Sequence, residues 1–211
     1  MTIEKRTATA PVALEVRKDD AGTEKNFITG YASVFYNGKP ETEFRLANDF
    51  VERVSPKAFD GVIDRDDVRA LFNHDSNYVL GRSKSGTLKM SVDKRGLKYE
   101  IEIPDTSAGR DLMTSIKRGD ITGSSFSFTV DKESYEEKDA VTVRTVEAVT
   151  LYDVGPVTYP AYAGTEAQAR NAAPAFEMRA QIKQEKEAEN NKIKARQRLT
   201  EIETRLKELE L

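Results

Sequence analysis

The chain lacks cysteine altogether and contains a single histidine, His74, among its 211 residues. Without cysteine it can form no disulfide, no thiolate metal site and no cysteine nucleophile. One histidine and no cysteine also exclude the usual zinc sites. We therefore expect a protein that works without a metal ion or another cofactor.

Long apolar runs and a strong charge imbalance are absent as well. No stretch is apolar for long enough to span a bilayer, and the first residues lack the apolar core of a signal peptide. The formal net charge of −3 gives no general attraction to nucleic acid or to an acidic membrane surface. The composition therefore predicts a cytoplasmic protein that binds neither nucleic acid nor membrane.

Short strands dominate the first three quarters of the sequence. Apolar and polar residues alternate in several segments, among them 12–17, 87–92 and 97–103, and the last two flank a strong hairpin turn. Two short helices are predicted, one over 56–63 after Ser55 and one that begins at Asp105 or Thr106 and stops near residue 117. This pattern predicts a β-rich α+β domain, and the number of strands favours a closed or nearly closed β-barrel with flanking helices.

Composition changes near residue 163, where alanine, glutamine, glutamate and lysine become dominant. Apolar side chains then recur at alternating spacings of four and three, at Ala195, Leu199, Ile202, Leu206 and Leu209. Such a seam is typical of a coiled coil or of a helix that binds a partner, and the alternative is a solvated helix on its own domain. We predict a flexible N-terminus over residues 1–10, a domain over 11–165 and a helical, coiled-coil-forming tail over 166–211.

The segment 121–130, ITGSSFSFTV, carries the most distinctive pattern. In a strand, Phe126 and Phe128 would share one face, while Ser125 and Ser127 would share the other. One interpretation is a half-buried strand whose serines face water. The other is that Ser125 is a nucleophile, which requires a base elsewhere in the chain.

His74 follows the apolar strand segment 68–72 and is the natural candidate for that base. An imidazole suits proton transfer near neutral pH, although a lone histidine is more often a surface residue or a structural one. Asp75 is a poor partner for His74, because neighbours on a strand point to opposite faces.

Asp153 is an acidic residue in the apolar segment 149–154, VTLYDV. Simple alternation places Asp153 on the same face as Val149 and Leu151. A charged carboxylate in an apolar row needs a cationic or hydrogen-bonding partner. His74 is one candidate for this partner, and an arginine is the other.

Eight segments in sequence order resemble the prohead maturation proteases of tailed bacteriophages, which are serine proteases that trim capsid and scaffold proteins during head assembly. They are GYASVF at 30–35, FVERVSPKAF at 50–59, LFNHD at 71–75, VLGRSKSGTL at 79–88, RGL at 95–97, PDTSAGRD at 104–111, RGDITGSSFSF at 118–128 and DVGPVTYPAY at 153–162. The resemblance implies a fold related to that of the herpesvirus assemblins, a seven-stranded barrel wrapped by helices.

The resemblance also implies catalytic roles. It makes His74, in the Asn-His-Asp motif, the base and Ser125, in the Gly-x-Ser-Phe-x-Phe motif, the nucleophile. Ser124 is adjacent but should lie on the Phe126 side. Assemblins use a second histidine as third member, which this chain cannot supply. The phage proteases instead have an acidic residue just before their Val-Thr-x-Pro-Ala segment, so the resemblance implies that Asp153, which stands there, has this role.

Two departures from the family pattern surround Asp153. The family more often has glutamate at this position, and Gly155 and Pro156 replace the small β-forming residues that usually follow.

An oxyanion hole is required for acyl transfer, and Arg82 and Arg144 are candidate donors. Neither the spacing nor the resemblance decides between them.

The function implied by the resemblance is a serine endopeptidase that cleaves the major capsid protein and its scaffolding segment, and also itself. It would act inside the assembling prohead in the host bacterial cytoplasm, and could self-associate through the C-terminal helix. The alternative is a catalytically inactive scaffold or capsid-assembly chaperone. A metal-dependent hydrolase is disfavoured, because the carboxylates show no clustered ligand spacing.

Overall fold

The structure is a computed structural model that describes residues 2–8, 11–18, 21–159 and 172–209. It is a strand-rich α+β protein with a long C-terminal helix. The chain divides into two compact units, Met1–Ala173 and Pro174–Leu211. The predicted boundaries at residues 10 and 165 remain predictions, and residues 160–171 lie outside the described part.

The first unit contains eleven strands and two α-helices among its described residues. The strands are β1 (Glu4–Ala8), β2 (Ala13–Lys18), β3 (Glu24–Val34), β4 (Phe44–Ala47), β5 (Phe50–Val54), β6 (Arg69–Leu71), β7 (Val79–Arg82), β8 (Leu88–Val92), β9 (Gly96–Glu102), β10 (Gly123–Lys138) and β11 (Val141–Val157). The helices are α1 (Val62–Arg65) and α2 (Ser107–Arg118).

The long antiparallel hairpin of β10 and β11 is the centre of a seven-stranded sheet in the order β1-β10-β11-β5-β4. Strand β11 pairs in parallel with β5 over its first half and with β6 near its end, and β7 extends the sheet from β6. A separate four-stranded sheet has the order β2-β3-β9-β8.

The barrel prediction is not confirmed, because neither sheet closes on itself among the described strands. The physical reason is a branch at β11. One edge of β11 pairs with β10. Its other edge pairs with β5 near one end and with β6 near the other end, so the sheet branches here instead of continuing as a ring.

Residues 4–8 correct the expectation of a flexible N-terminus. They form β1, which pairs antiparallel with β10 from Glu4 opposite Phe128 to Ala8 opposite Ser124. Glu4 and Arg6 are almost fully buried, and the cost of burying their charges is offset by ion pairs with charged residues of other strands. A short charged segment is therefore ordered by partners that lie far away in the sequence.

The predicted helix near residue 106 is confirmed as α2. Thr106 accepts a hydrogen bond from the Gly109 N–H as N-cap, and Gly119 ends the helix in the left-handed conformation with φ of 82°. The helix predicted over 56–63 is wrong in its bounds, because tight turns occupy most of that segment and α1 begins only at Val62.

The described part of the second unit is the helix α3 (Ala173–Leu209), whose first residue belongs to the first unit. This helix confirms the predicted helical tail. Two residues of the apolar seam, Leu199 and Ile202, are 60% and 54% exposed. The side chains of the last two seam residues, Leu206 and Leu209, lie outside the described part. No helix in the described ranges is long and apolar enough to cross a membrane.

Candidate active site

Ser125 lies in the middle of the seven-stranded sheet, where β10 runs between β1 and β11. Both faces of β10 are buried here. Phe126 and Phe128 stack at 4.7 Å between ring centroids on one face, and Ser125 and Ser127 point to the other. The interpretation that these serines face water is wrong, because Ser125 and Ser127 are each only 2% exposed.

His74 sits on a sharp turn directly after β6. Asn73 and His74 both have left-handed backbone angles, with φ of 56° and 57°. This conformation is energetically unfavourable for any residue other than glycine. The Asn73 side chain compensates by binding the end of β11. Its Oδ1 accepts from Thr158 N at 2.8 Å, and its Nδ2 donates to Thr158 Oγ1 at 3.0 Å. This clamp turns the imidazole back toward β10.

Asp153 reaches the site because β11 contains a bulge. Ser127 is opposite Asp153, whereas Phe128 is opposite Leu151, so Tyr152 is an extra residue between two paired positions. Directly opposite residues share a face, so Asp153 lies on the serine face and Leu151 on the phenylalanine face. The expectation that Asp153 shares a face with Leu151 is therefore wrong.

The three predicted residues are joined in one hydrogen-bonded row. His74 Nε2 lies 2.7 Å from Ser125 Oγ, and His74 Nδ1 lies 2.5 Å from Asp153 Oδ1. An ionised carboxylate can only accept, so the ring hydrogen is on Nδ1 and the neutral imidazole presents the Nε2 lone pair to Ser125. This arrangement lets His74 accept the serine proton while Asp153 holds the ring.

Ser127 is a further member of the row, although no function was predicted for it from the sequence. Its hydroxyl donates to Asp153 Oδ2, while His74 uses Oδ1. Each oxygen of the carboxylate thus has a partner of its own, which fixes its plane toward the imidazole. The alternation of Ser125 and Ser127 on one face was the signal that could have identified this residue.

Ser124 points to the opposite face, as predicted. Its Oγ lies 2.7 Å from the buried hydroxyl of Tyr99. Burial raises the pKa of Tyr99, so this hydroxyl remains protonated and can donate. Gly30 makes room for the contact, because a Cβ at this position would lie 2.8 Å from Ser124 Oγ and 2.7 Å from the Tyr99 hydroxyl. Ser124 is therefore a structural residue of the core.

The Asp75 carboxylate bonds to the residues that follow it, whereas His74 Nδ1 bonds to Asp153. Its Oδ1 accepts hydrogen bonds from both the backbone N–H and the side-chain amide of Asn77, each at 2.8 Å. Asp75 therefore stabilises the turn that follows the histidine, in agreement with the expectation that it is a poor partner for His74.

Gly155 explains one of the two departures from the family pattern. It lies opposite Ser125 on β11, and a Cβ at this position would come within 2.0 Å of the Leu71 carbonyl oxygen. Any side chain here would push away the end of β6, from which His74 extends. Glycine is thus required for β6 to bring the histidine close enough to Ser125.

The two arginines considered as oxyanion donors are both engaged elsewhere. Arg82 binds the Asp67 carboxylate through Nε at 2.8 Å, and these hydrogen bonds hold the pKa of Asp67 far below its usual range. Arg144 is buried in ion pairs with Glu4, Glu52 and Glu133. Neither guanidinium is available to stabilise an oxyanion at Ser125.

Comparison with known proteins identifies the family of this chain. The model of the caudovirus prohead serine protease family matches residues 12–194. The chain therefore belongs to the family of prohead serine proteases of tailed phages, whose members act in capsid maturation.

A solved structure, that of the bacteriophage T4 capsid assembly protease, resembles this chain with a TM-score of 0.40 and 10% sequence identity. The match covers 73% of this chain and 98% of the T4 protein. Among curated proteins, none matches the chain.

Proposed function

We propose that this chain is a serine endopeptidase in which Ser125, His74 and Asp153 form the catalytic triad. The observation that carries the proposal is the continuous hydrogen-bonded row from Ser125 Oγ through His74 to Asp153, with distances of 2.7 and 2.5 Å. A phage prohead protease needs this chemistry, and the chain has no other histidine that could act as base.

The chemistry follows from the hydrogen positions. Ser125 Oγ attacks the scissile carbonyl carbon while its proton passes to His74 Nε2, which leaves an imidazolium beside the Asp153 carboxylate. The imidazolium then protonates the leaving amine, and an acyl-enzyme remains on Ser125. A water molecule then gives one proton to Nε2 while its oxygen bonds to the acyl carbon. The bond from that carbon to Ser125 Oγ breaks, Nε2 returns the proton to Oγ, and the new carboxyl terminus is released. Ser127 keeps Asp153 aligned throughout both steps.

We assign the substrate by membership of the prohead family. The targets are the major capsid protein and its scaffolding segment, and the protease also cleaves itself. The reaction takes place inside the assembling prohead in the host bacterial cytoplasm. The exposed apolar positions of α3, Leu199 and Ile202, recruit the protease by pairing with a helical partner or a second copy.

The test is co-expression with the major capsid protein of the same phage, followed by mass measurement of both chains. Ser125→Ala removes one oxygen and should abolish cleavage, while circular dichroism and thermal unfolding stay close to those of the parent chain. His74→Ala should be equally inactive, and the double variant no worse, because the residues act as a unit.

Ser124→Ala is the matched control, since it removes the neighbouring hydroxyl from the opposite face. It should retain cleavage, with a loss of stability of about 1 kcal/mol for one buried hydrogen bond. Cleavage that survives Ser125→Ala would contradict the proposed nucleophile. An unprocessed capsid protein with the parent chain, together with normal shell assembly, would instead favour the inactive assembly chaperone.

A further inference from the structure

The apolar seam of α3 follows a heptad repeat, whose positions are labelled a to g. Leu199 and Leu206 stand at position a, and Ala195, Ile202 and Leu209 stand at position d. Of these side chains, Leu199 is 60% and Ile202 is 54% exposed. In a coiled coil, such a seam is covered by the same kind of seam on another helix.

Charged residues flank this seam on both sides, with a different sign on each side. Position g, just before each a position, has Arg198 and Arg205, whereas position e has Glu203 and Glu210. Glu210 is placed by the sequence alone, because it lies outside the described residues. In the described part of α3, an ion pair joins Lys192 to Glu189 at 3.8 Å, and it lies before the seam.

These charges fit parallel pairing of two copies. In a parallel two-stranded coil, the residue at g lies beside the residue at e in the next heptad of the other helix. Arg198 of each copy therefore meets Glu203 of the other, and the same spacing in the sequence joins Arg205 to Glu210. By symmetry each contact occurs twice, and every one joins opposite charges.

Antiparallel pairing would bring like charges together at the centre of the seam. In that orientation, position e lies beside e and position g beside g. When the apolar positions of the two seams are aligned, Glu203 faces Glu203 and Arg205 faces Arg205, which is unfavourable. Attraction remains only between Arg196 and Glu210 at the ends. The charges therefore favour the parallel orientation.

A lysine before the seam favours two strands. Lys192 stands at position a, one heptad before Leu199, and its side chain is 70% exposed. A lysine at an a position helps to fix the register and the number of strands, at a cost in stability. Its long side chain can extend to water from between two helices more easily than from among three or four. The pattern therefore fits a dimer.

We propose that α3 pairs with α3 of a second copy of this chain as a parallel, in-register, two-stranded coiled coil, in which Arg198 of each copy binds Glu203 of the other. The proposal rests on the pairing role of α3 in the proposed function, and it selects a second copy as the partner. Parallel pairing brings the N-terminal ends of both helices together, so one dimer has two proposed active sites attached at the same end.

Disulfide capture tests the orientation and the register, and the chain has no cysteine of its own that could interfere. Ala195, at position d, faces Ala195 of the other copy in a parallel in-register coil, within reach of a disulfide. In a glutathione redox buffer, full-length Ala195→Cys should form covalent dimer at least about tenfold more readily than Gln197→Cys, which is at the outer position f. Equal cross-linking of the two variants would overturn the parallel pairing.

Charge reversal tests the contact between Arg198 and Glu203. Arg198→Glu and Glu203→Arg each bring like charges together, and each alone should raise the Kd of the dimer at least about tenfold in sedimentation equilibrium. An equimolar mixture of the two variants should dimerise like the parent chain, because opposite charges then meet again. A mixture that pairs no better than the single variants would overturn the assigned contact.

Lys194→Glu and Glu201→Arg are the matched controls for these two variants. They make the same changes of charge at position c, away from the partner helix, and should leave the Kd within about twofold of the parent value. Effects as large as those of Arg198→Glu and Glu203→Arg would show that net charge, and not the paired contact, controls association.

The readouts separate the dimer from the protease function. Association is measured in chains that also have Ser125→Ala, so that self-cleavage cannot shorten α3. A cross-linked dimer without capsid cleavage by the parent chain supports the pairing and overturns the protease proposal. Capsid cleavage by a parent chain that is monomeric does the reverse. A trimer or tetramer overturns the two-stranded coil, and a monomer that binds the capsid scaffolding segment through the seam overturns the choice of a second copy.

Discussion

Ser127 donates its hydroxyl hydrogen to the Asp153 oxygen that His74 leaves free, so in the proposed mechanism it acts on catalysis through Asp153. Ser127→Ala should reduce kcat/KM roughly 10- to 100-fold, the range expected when a charged group loses one hydrogen bond. The loss should be in kcat, with KM little changed, because Ser127 orients the row and does not bind the peptide.

Thr129→Val is the matched control for this change, because it removes a buried hydroxyl from the same strand. Thr129 Oγ1 contacts the Tyr152 hydroxyl at 3.3 Å. Steady-state kinetics on a capsid-derived peptide check both variants. Equal losses in the two variants would show that Ser127 has only a general packing role.

At the scale of elements, the junction of β6 and β11 positions the histidine. Gly155→Ala would place a Cβ within 2.0 Å of the Leu71 carbonyl oxygen, which is backbone and cannot rotate away. We expect a loss in unfolding free energy of about 3 kcal/mol or more, together with a large loss of activity as His74 is displaced. Chemical denaturation and a cleavage assay measure the two effects.

Gly38→Ala provides the comparison for Gly155→Ala. Gly38 has a φ of 94°, and nothing lies within 4 Å of the added Cβ. Only backbone strain of about 1–2 kcal/mol is expected there, with activity retained. Similar effects of both variants on activity would argue against the close approach of β6 as the critical feature.

Strand β1 should make the protein sensitive to acid. Burial raises the pKa of Glu4, but the hydrogen bond from Arg144 and the charge of Arg6 together lower it by more. The net pKa is therefore below the ordinary value of 4.5. A carboxylate with a lowered folded-state pKa stabilises the fold above the ordinary value, and this contribution is lost as pH falls through the folded-state pKa.

We therefore expect unfolding free energy to decline below about pH 4.5 less steeply in Glu4→Gln than in the parent chain. At neutral pH the variant should be less stable by about 3–5 kcal/mol, because a buried charge loses its partner. Urea titrations between neutral and acidic pH measure both quantities. Parallel pH curves for the two proteins would contradict the assigned role of Glu4.

For the whole molecule, the prediction concerns the second unit. Leu199→Asp with Ile202→Asp places two charges in the exposed seam of α3 without shortening the chain. Burial of each apolar side chain on a partner is worth on the order of 1.5–3 kcal/mol, so loss of both should reduce incorporation into proheads by at least about tenfold. Cleavage of a soluble peptide should be unchanged, because the first unit contains the proposed triad.

Gln197→Asp with Thr200→Asp is the control, since it adds the same charge away from the seam. Quantitative immunoblots of purified proheads compare the two double variants. If both are incorporated like the parent chain, α3 is not the recruitment element, and the solvated helix is the better interpretation of the tail.

The sequence alone determined the features that depend on neighbouring residues. Alternation of side chains identified the first part of β10 and the β8–β9 hairpin, and it placed Ser125 and Ser124 on opposite faces. Capping residues located α2, and the spacing of apolar residues predicted α3. These patterns are local because each is set by the geometry of a single strand or helix.

Only the tertiary structure decided how distant segments meet. The bulge at Tyr152 moves Asp153 to the serine face, and alternation could not show it because a bulge is defined by the partner strand. In the sequence, Glu4 and Arg6 look like ordinary surface charges. In the structure they are buried, because Glu4 forms an ion pair with Arg144 and Arg6 forms one with Glu52. The branch at β11 likewise depends on which strands compete for one edge, so the open sheet and the burial of Ser125 were set by pairing between strands that are distant in the sequence.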